Sequence, residues 1–154
     1  MKAHFPLGFF LLAICILPSQ LLAQETKKPF TFEDIMRFQS HSSVEFSTQG
    51  NFLGFDFWPD RGDGEARIYK TNGLNQELLR VPLGKSIQFD DSERFAAMRI
   101  TTPLATTLKD EKKKYFDSLA VYSLKDATLI WETDSLRSFA FSADGSFLAV
   151  HKQA

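Results

Sequence analysis

One pattern occurs three times in this 154-residue chain: an apolar-x-Phe triplet, a polar turn, then an aromatic residue opening a short apolar run. The first copy is Val44-Glu45-Phe46 with Ser47-Thr48-Gln49-Gly50-Asn51-Phe52. The second is Ile87-Gln88-Phe89 with Asp90-Asp91-Ser92-Glu93-Arg94-Phe95. The third is Phe139-Ala140-Phe141 with Ser142-Ala143-Asp144-Gly145-Ser146-Phe147. The anchors Phe46, Phe89 and Phe141 stand 43 and 52 residues apart. A period of that length written in strands is the signature of β-propeller blades. The expected fold is therefore all-β: an incomplete β-propeller of about two and a half blades, each a four-stranded antiparallel sheet. The blades are expected at about residues 43–84, 85–136 and, truncated, 137–154. A propeller closes with roughly four to eight blades, so the chain is expected to stop inside its third.

The repeat has a physical reason. An apolar-x-Phe triplet in a strand puts two side chains on one face, because side chains alternate with period two. That face is expected to meet the neighbouring blade. A Ser-x-Asp-Gly turn lets a short polar side chain bond local backbone while glycine takes a positive φ. Asp90-Asp91-Ser92-Glu93 lacks the glycine, so its turn must either differ or carry strain. The 16 phenylalanines suit pleated sheet faces packed on one another. Between the second and third anchors, residues 102–117 form an insertion that includes Leu108-Lys109-Asp110-Glu111-Lys112-Lys113-Lys114.

The first 23 residues read differently. A weakly basic start, an apolar run and Leu21-Leu22-Ala23 describe a secretory signal peptide cut after Ala23. The apolar run falls short of the ~20 residues a membrane span needs. Residues 24–42 are expected to hold a polar lead and a short helix over 32–38. Thr31 would cap that helix, Glu33 and Asp34 would favour its positive end, and Phe32, Ile35, Met36 and Phe38 would form its buried side. Cys15, the only cysteine, falls in the leader. The mature chain then has no disulfide, thiolate ligand or cysteine nucleophile. An exported chain without disulfides fits a bacterial periplasm better than a eukaryotic exterior, so a periplasmic or secreted location is expected.

Charge excludes some partners. The formal net charge is −1 with acids and bases interspersed, leaving neither a basic stripe for nucleic acid nor a basic amphipathic helix for a membrane surface. No G-x-S-x-G elbow is present, and the histidines His4, His41 and His151 lack metal-ligand spacing. His41 is expected in a loop and His151 in a strand. Asp60-Arg61-Gly62-Asp63-Gly64-Glu65 offers hard oxygen ligands, and one reading is a small calcium loop. The plainer reading is a hairpin turn whose carboxylates bond its own backbone. Trp58 and Trp131 are expected to pack between blades, and residues 109–114 to form a solvated charged loop. No residue of this chain is therefore assigned a catalytic, cofactor-binding or metal-binding role, and no cofactor is expected.

Several of these segments together resemble secreted bacterial peptidases of the prolyl oligopeptidase family. Phe32-Glu33-Asp34-Ile35-Met36-Arg37-Phe38 resembles their opening helix. Phe57-Trp58-Pro59-Asp60-Arg61-Gly62-Asp63-Gly64-Glu65-Ala66 is similar to their first-blade hairpin. The Ser-x-Asp-Gly turn and the lysine-rich insertion before Asp117-Ser118-Leu119-Ala120-Val121 are similar too. The resemblance implies a propeller followed by an α/β-hydrolase domain that carries the Ser, Asp and His of a triad. None of the three maps onto a residue here.

The function that follows is that of an N-terminal propeller segment of an exported serine peptidase. It would gate and scaffold a hydrolase domain, with peptide substrates met only through the full-length parent. The alternative is a periplasmic propeller that binds or assembles without catalysis. The exposed strand edges of an unclosed array further predict self-association.

Overall fold

A computed structural model describes residues 29–72, 76–110 and 112–153. The expected signal peptide, residues 1–23, lies outside the described residues, as do most of the polar lead and Gly73. Among the described residues no helix is long and apolar enough to cross a membrane. All the strands belong to one compact unit, Glu33–Ala154.

The helix α1 spans Phe32–Met36 and then gives way to strand, two residues short of the sequence expectation. It buries none of its residues. Phe32 and Ile35 are largely exposed, as is Phe38 beyond it, so the expected buried side is not there. Nine strands follow among the described residues. They are β1 (Gln39–Phe46), β2 (Phe52–Pro59), β3 (Glu65–Lys70), β4 (Gln76–Pro82), β5 (Gly84–Phe89), β6 (Phe95–Ile100), β7 (Asp117–Ser123), β8 (Thr128–Phe141) and β9 (Leu148–Lys152). A single turn of helix, α2 (Leu104–Thr107), lies in the insertion between β6 and β7.

The strands form two open antiparallel sheets, β1-β2-β3-β4 and β5-β6-β7-β8-β9. β8 serves twice: its first half pairs with β7 and its second half with β9. Within each sheet successive strands are neighbours, joined by short turns except for the insertion between β6 and β7.

The period-two pattern decides which residues form the core. Ala66, Ile68 and Val81 of the first sheet meet Ile87, Ala96, Met98 and Leu124 of the second, with Phe52 and Phe89 packed against them. The other face of the second sheet buries Ala97, Leu119, Val121 and Leu136. Phe139, Phe141, Leu148 and Val150 from the second half of β8 and from β9 pack onto that group. Two of the three triplets therefore meet neighbouring strands as expected, the second and third each packing on strands that precede it. Val44 and Phe46 differ: they are 50% and 62% exposed.

One residue crosses between the sheets. Leu83 has φ 63°. It is held in that left-handed conformation by its N–H on the Gly64 carbonyl and by the Thr101 N–H on its own carbonyl, 2.8 and 3.0 Å. Ser135, six residues before Phe141 as Leu83 is six before Phe89, has φ 55°. Its carbonyl accepts the Gln153 N–H at 2.7 Å. The repeat extends to backbone strain that no residue type announces.

Candidate functional site at the inner strands

β1, β5 and the second half of β8 are the first strands of their repeats, and a polar groove of about 470 Å3 runs along them. Glu45, Gln88 and Asp91 line it, with Thr48 and Ser142 from the turns. These are the residues between and beside the triplet's apolar positions, and alternation turns them away from the core.

A row of three turns borders the groove and repeats atom for atom. Ser47 Oγ, an Asp90 carboxylate oxygen and Ser142 Oγ each accept the N–H five residues on, from Phe52, Phe95 and Phe147, at 2.9, 2.6 and 3.0 Å. The same residues' N–H groups donate to the carbonyls of those phenylalanines at 3.0, 3.1 and 2.9 Å. The fourth turn residue is left-handed each time: Gly50 at φ 75°, Glu93 at 55° and Gly145 at 68°. The turn without glycine keeps the geometry and bears the strain, which settles the alternative left open by the sequence.

Glu93 has a compensation. Its carboxylate accepts the Gln49 N–H and the Asn51 Nδ2, both at 2.7 Å, joining the second turn to the first. Desolvation raises its pKa, but hydrogen bonds from Ser47, Asn51 and Gln49 outweigh that and hold it below the ordinary value. Gly145 approaches the second turn too closely for a side chain: a Cβ there would stand 2.9 Å from the Asp91 nitrogen. In the exposed third turn, Asp144 takes Ser142 Oγ at 2.5 Å and the Ser146 N–H at 3.1 Å. Those bonds lower its pKa to about 2.

A buried carboxylate anchors the opposite end of the inner strands. Asp56 on β2 is fully buried. One oxygen accepts the Ser42 N–H, Ser42 Oγ and the Ser43 N–H at 3.0, 2.6 and 3.2 Å. The other accepts Ser43 Oγ at 2.7 Å and the Ser86 N–H at 3.0 Å. Ser42 and Ser43 form the bulge of β1, where pairing shifts between His41 and Val44. Ser86, at φ 54°, lies in the matching bulge of β5. Burial alone would raise the Asp56 pKa, yet the serine side chains and the Ser86 and Ser42 amides together bring it below the ordinary carboxylate value.

Arg99 on β6 holds the equivalent place in the second repeat. It donates to Asp117 at 2.8 Å and to the Arg137 carbonyl at 3.0 Å, at the bulge of β8. Neither residue's role is apparent from the sequence. The only cue was a lone Asp among the aromatics of Phe55-Asp56-Phe57.

Other expectations need correction. His41 lies in β1 opposite Phe57, not in a loop, because the strand starts five residues before Val44. Trp131 is 46% exposed on β8 rather than packed between sheets. Trp58 packs beneath the loop over residues 59–64, so close that a Cβ on Gly64 would lie 2.5 Å from the indole. Asp63 of that loop does not bond its own backbone. It accepts the Leu104 N–H at 2.7 Å, fastening the start of the insertion to the first sheet. Glu65 is taken up by Arg67. Among the described residues no three His, Cys, Asp or Glu side chains gather as a cation cage. The Ser43 and Ser142 hydroxyls along the groove donate to carboxylates. Both hydroxyls are thus engaged within the chain.

No family model matches the chain. No curated protein does either. Among solved structures it is similar to the β-propeller domain of the Trilobed protease from Pyrococcus furiosus, described as having an open velcro topology. The TM-score is 0.54 at 13% identity, over 74% of this chain. The chain spans about a third, 34%, of the length of that structure. At that identity the likeness establishes the fold alone: two open antiparallel sheets of a β-propeller.

Proposed function

We propose that this chain is the N-terminal propeller segment of an exported serine peptidase of the prolyl oligopeptidase type. It gates and scaffolds a hydrolase domain that cleaves short peptides. The observation that carries this reading is the polar groove along the three inner strands, held at one end by Asp56 and at the other by the row of turns. A passage for peptides needs polar walls on a frame that does not yield. Two things support the reading: the family resemblance of residues 32–38 and 57–66, and the likeness of the fold to a propeller domain from a protease. Export is part of the same proposal and rests on residues 1–23.

Two measurements test it. The coding frame read past codon 154 is expected to continue through further blades to a G-x-S-x-G and a later Asp and His. The purified 154-residue chain is expected to take up no fluorophosphonate probe, whereas the parent does. A frame that adds blades and stops, with no elbow, would overturn the peptidase reading in favour of a binding module.

A further inference from the structure

A pocket of about 420 Å3 opens between the first two repeats, at the end of the sheets where the recurring turns lie. Phe52, Phe95 and the buried Leu124 give it an apolar surface. Three cations also line it: Lys70 at the end of β3, Arg94 in the turn before β6 and Lys125 in the turn after β7. Among the described residues neither lysine has a hydrogen bond or an ion pair. Arg94 lies over the Phe95 ring, 5.3 Å from its centre, and its Nε donates to Ser92 Oγ at 2.8 Å. The Asp90 carboxylate is 4.0 Å from that same Nε, so the two terminal nitrogens remain for a ligand. Glu93 lines the pocket as well, but its carboxylate is taken up by the Gln49 N–H and Asn51 Nδ2. Asp126, beside Lys125, accepts Ser123 Oγ at 3.1 Å.

The repeat does not ask for these charges. Strand pairing sets Lys70 opposite Phe52 and Ser123 opposite Phe95. The next residues, Thr71 and Leu124, donate their N–H groups to the carbonyls of Asn51 and Arg94 at 3.0 and 2.9 Å. Lys70 therefore corresponds to Ser123, Lys125 to Asn72, and Arg94 to Asn51 and, in the third turn, Ser146. Every counterpart is neutral, so the cations belong to the pocket and not to the architecture. All of its lining residues lie in the first two repeats, and blades beyond residue 154 would pack elsewhere. β4 and the first half of β8 run away from it, toward Leu83 and Ser135. A domain joined after a fourth strand would therefore sit at the opposite end.

We propose that this pocket binds a carboxylate carried on an apolar body, the head reaching Lys70, Arg94 and Lys125 and the body lying against Phe52 and Leu124. The volume suits a small organic ligand, and an apolar surface with a few convergent polar groups is the make-up of such sites. The two terminal nitrogens of a guanidinium match the two oxygens of a carboxylate. Apolar walls exclude water and strengthen the attraction between the charges. A bare inorganic anion would satisfy the cations and leave the apolar surface unused. Two sources supply the fitting group: the C-terminus of a peptide that ends in an apolar residue, and a free aromatic acid. The proposal stands apart from the peptidase reading and needs no hydrolase domain.

The test is isothermal titration calorimetry on the 154-residue chain with N-acetylphenylalanine, hydrocinnamate, the amides of both, and inorganic phosphate. At least one of the two carboxylates should bind one-to-one, and the tighter of them identifies the source, a peptide end or a free acid. The matching amide should bind at least about tenfold more weakly, and phosphate should not displace the carboxylate. Lys70→Ser, Arg94→Asn and Lys125→Asn together install residues that other repeats carry at the same positions. That variant should keep its far-ultraviolet circular dichroism and lose affinity at least about tenfold. Should it fail to fold, Lys70→Ser with Lys125→Asn carries the test. Lys109→Ser with Lys112→Asn removes two charges from the insertion and should leave the affinity unchanged. An amide that binds as tightly as its acid overturns the proposal, as does displacement by phosphate, the mark of a plain anion patch. So does a pocket variant that binds like the unaltered chain, or the absence of binding up to about 10 mM of either carboxylate.

Discussion

Asp56 and Arg99 occupy the same position in consecutive repeats and carry opposite charges. Each ties its strand to the bulge of the next repeat's first strand, Asp56 by accepting the Ser86 N–H and Arg99 by donating to the Arg137 carbonyl. The geometry of the repeat thus fixes a contact, not a residue: a bulge leaves one N–H and one carbonyl unpaired, and either can be satisfied from the preceding sheet. The two solutions differ in burial. Asp56 is sealed from solvent and takes five hydrogen bonds. Arg99 keeps about a quarter of its side chain exposed, 26%, and shares its charge with Asp117. One is a buried acceptor that joins two bulges; the other can be replaced by water.

The largest effect should come from breaking the buried member. Asp56→Ala leaves the Ser42, Ser43 and Ser86 donors without their acceptor and is expected to cost about 3 kcal/mol in a denaturant titration. A loss as small as that of an exposed pair would refute that role. Acid should reach the same site. The folded pKa of Asp56 lies below its ordinary value, so its contribution is complete above about pH 4. It is then lost as pH falls through the folded value, with Glu93 adding in the same direction. Stability measured from pH 6 down to pH 2 should therefore fall on the acid side, and Asp56→Ala should flatten that slope.

A seated and an unseated phenylalanine give the next contrast. Phe89→Ala should cost about 2 kcal/mol, since the ring fills the notch at Gly54 and stacks on Phe52. Phe46→Ala, at the same repeat position but exposed, should change the stability of the monomer by under about 0.5 kcal/mol. Thermal melts at low protein concentration separate the two. Arg99→Met comes third, at about 1 kcal/mol, because water reaches the groups it leaves behind. Equal costs for Arg99→Met and Asp56→Ala would erase the distinction between them.

Glu93→Gly should move stability by less than Arg99→Met does, under about 1 kcal/mol. It relieves a left-handed residue while surrendering the bonds to Gln49 and Asn51, and the two changes oppose. Glu93→Ala keeps the strain without the bonds and should be the less stable of the two variants.

The strands and the repeat were legible because both are written locally. Period-two alternation and a turn every few residues are enough to mark strands, and the recurring triplets mark where each repeat begins. Asp56, Arg99 and Asp63 were not legible, since their partners Ser86, Arg137 and Leu104 lie 30, 38 and 41 residues away. Bulges hid the rest. The shift between His41 and Val44 breaks the alternation, so β1 reads as a loop up to Ser42 although it is paired from Gln39. The Leu83 crossing and the left-handed Ser135 follow from closing one sheet against the next, and nothing in Leu or Ser as residue types favours them.

The continuity of β8 bears on how the chain would be cut. From Thr128 to Phe141 the backbone runs as one paired strand, so no loop separates the part bound to β7 from the part bound to β9. A protease needs a segment that can loosen into its cleft. The insertion before β7 offers lysines at 109, 112, 113 and 114 outside any strand. Brief trypsin digestion should therefore nick there first. It should leave β7, β8 and β9 together as one fragment, although the repeat in the sequence divides them between two blades.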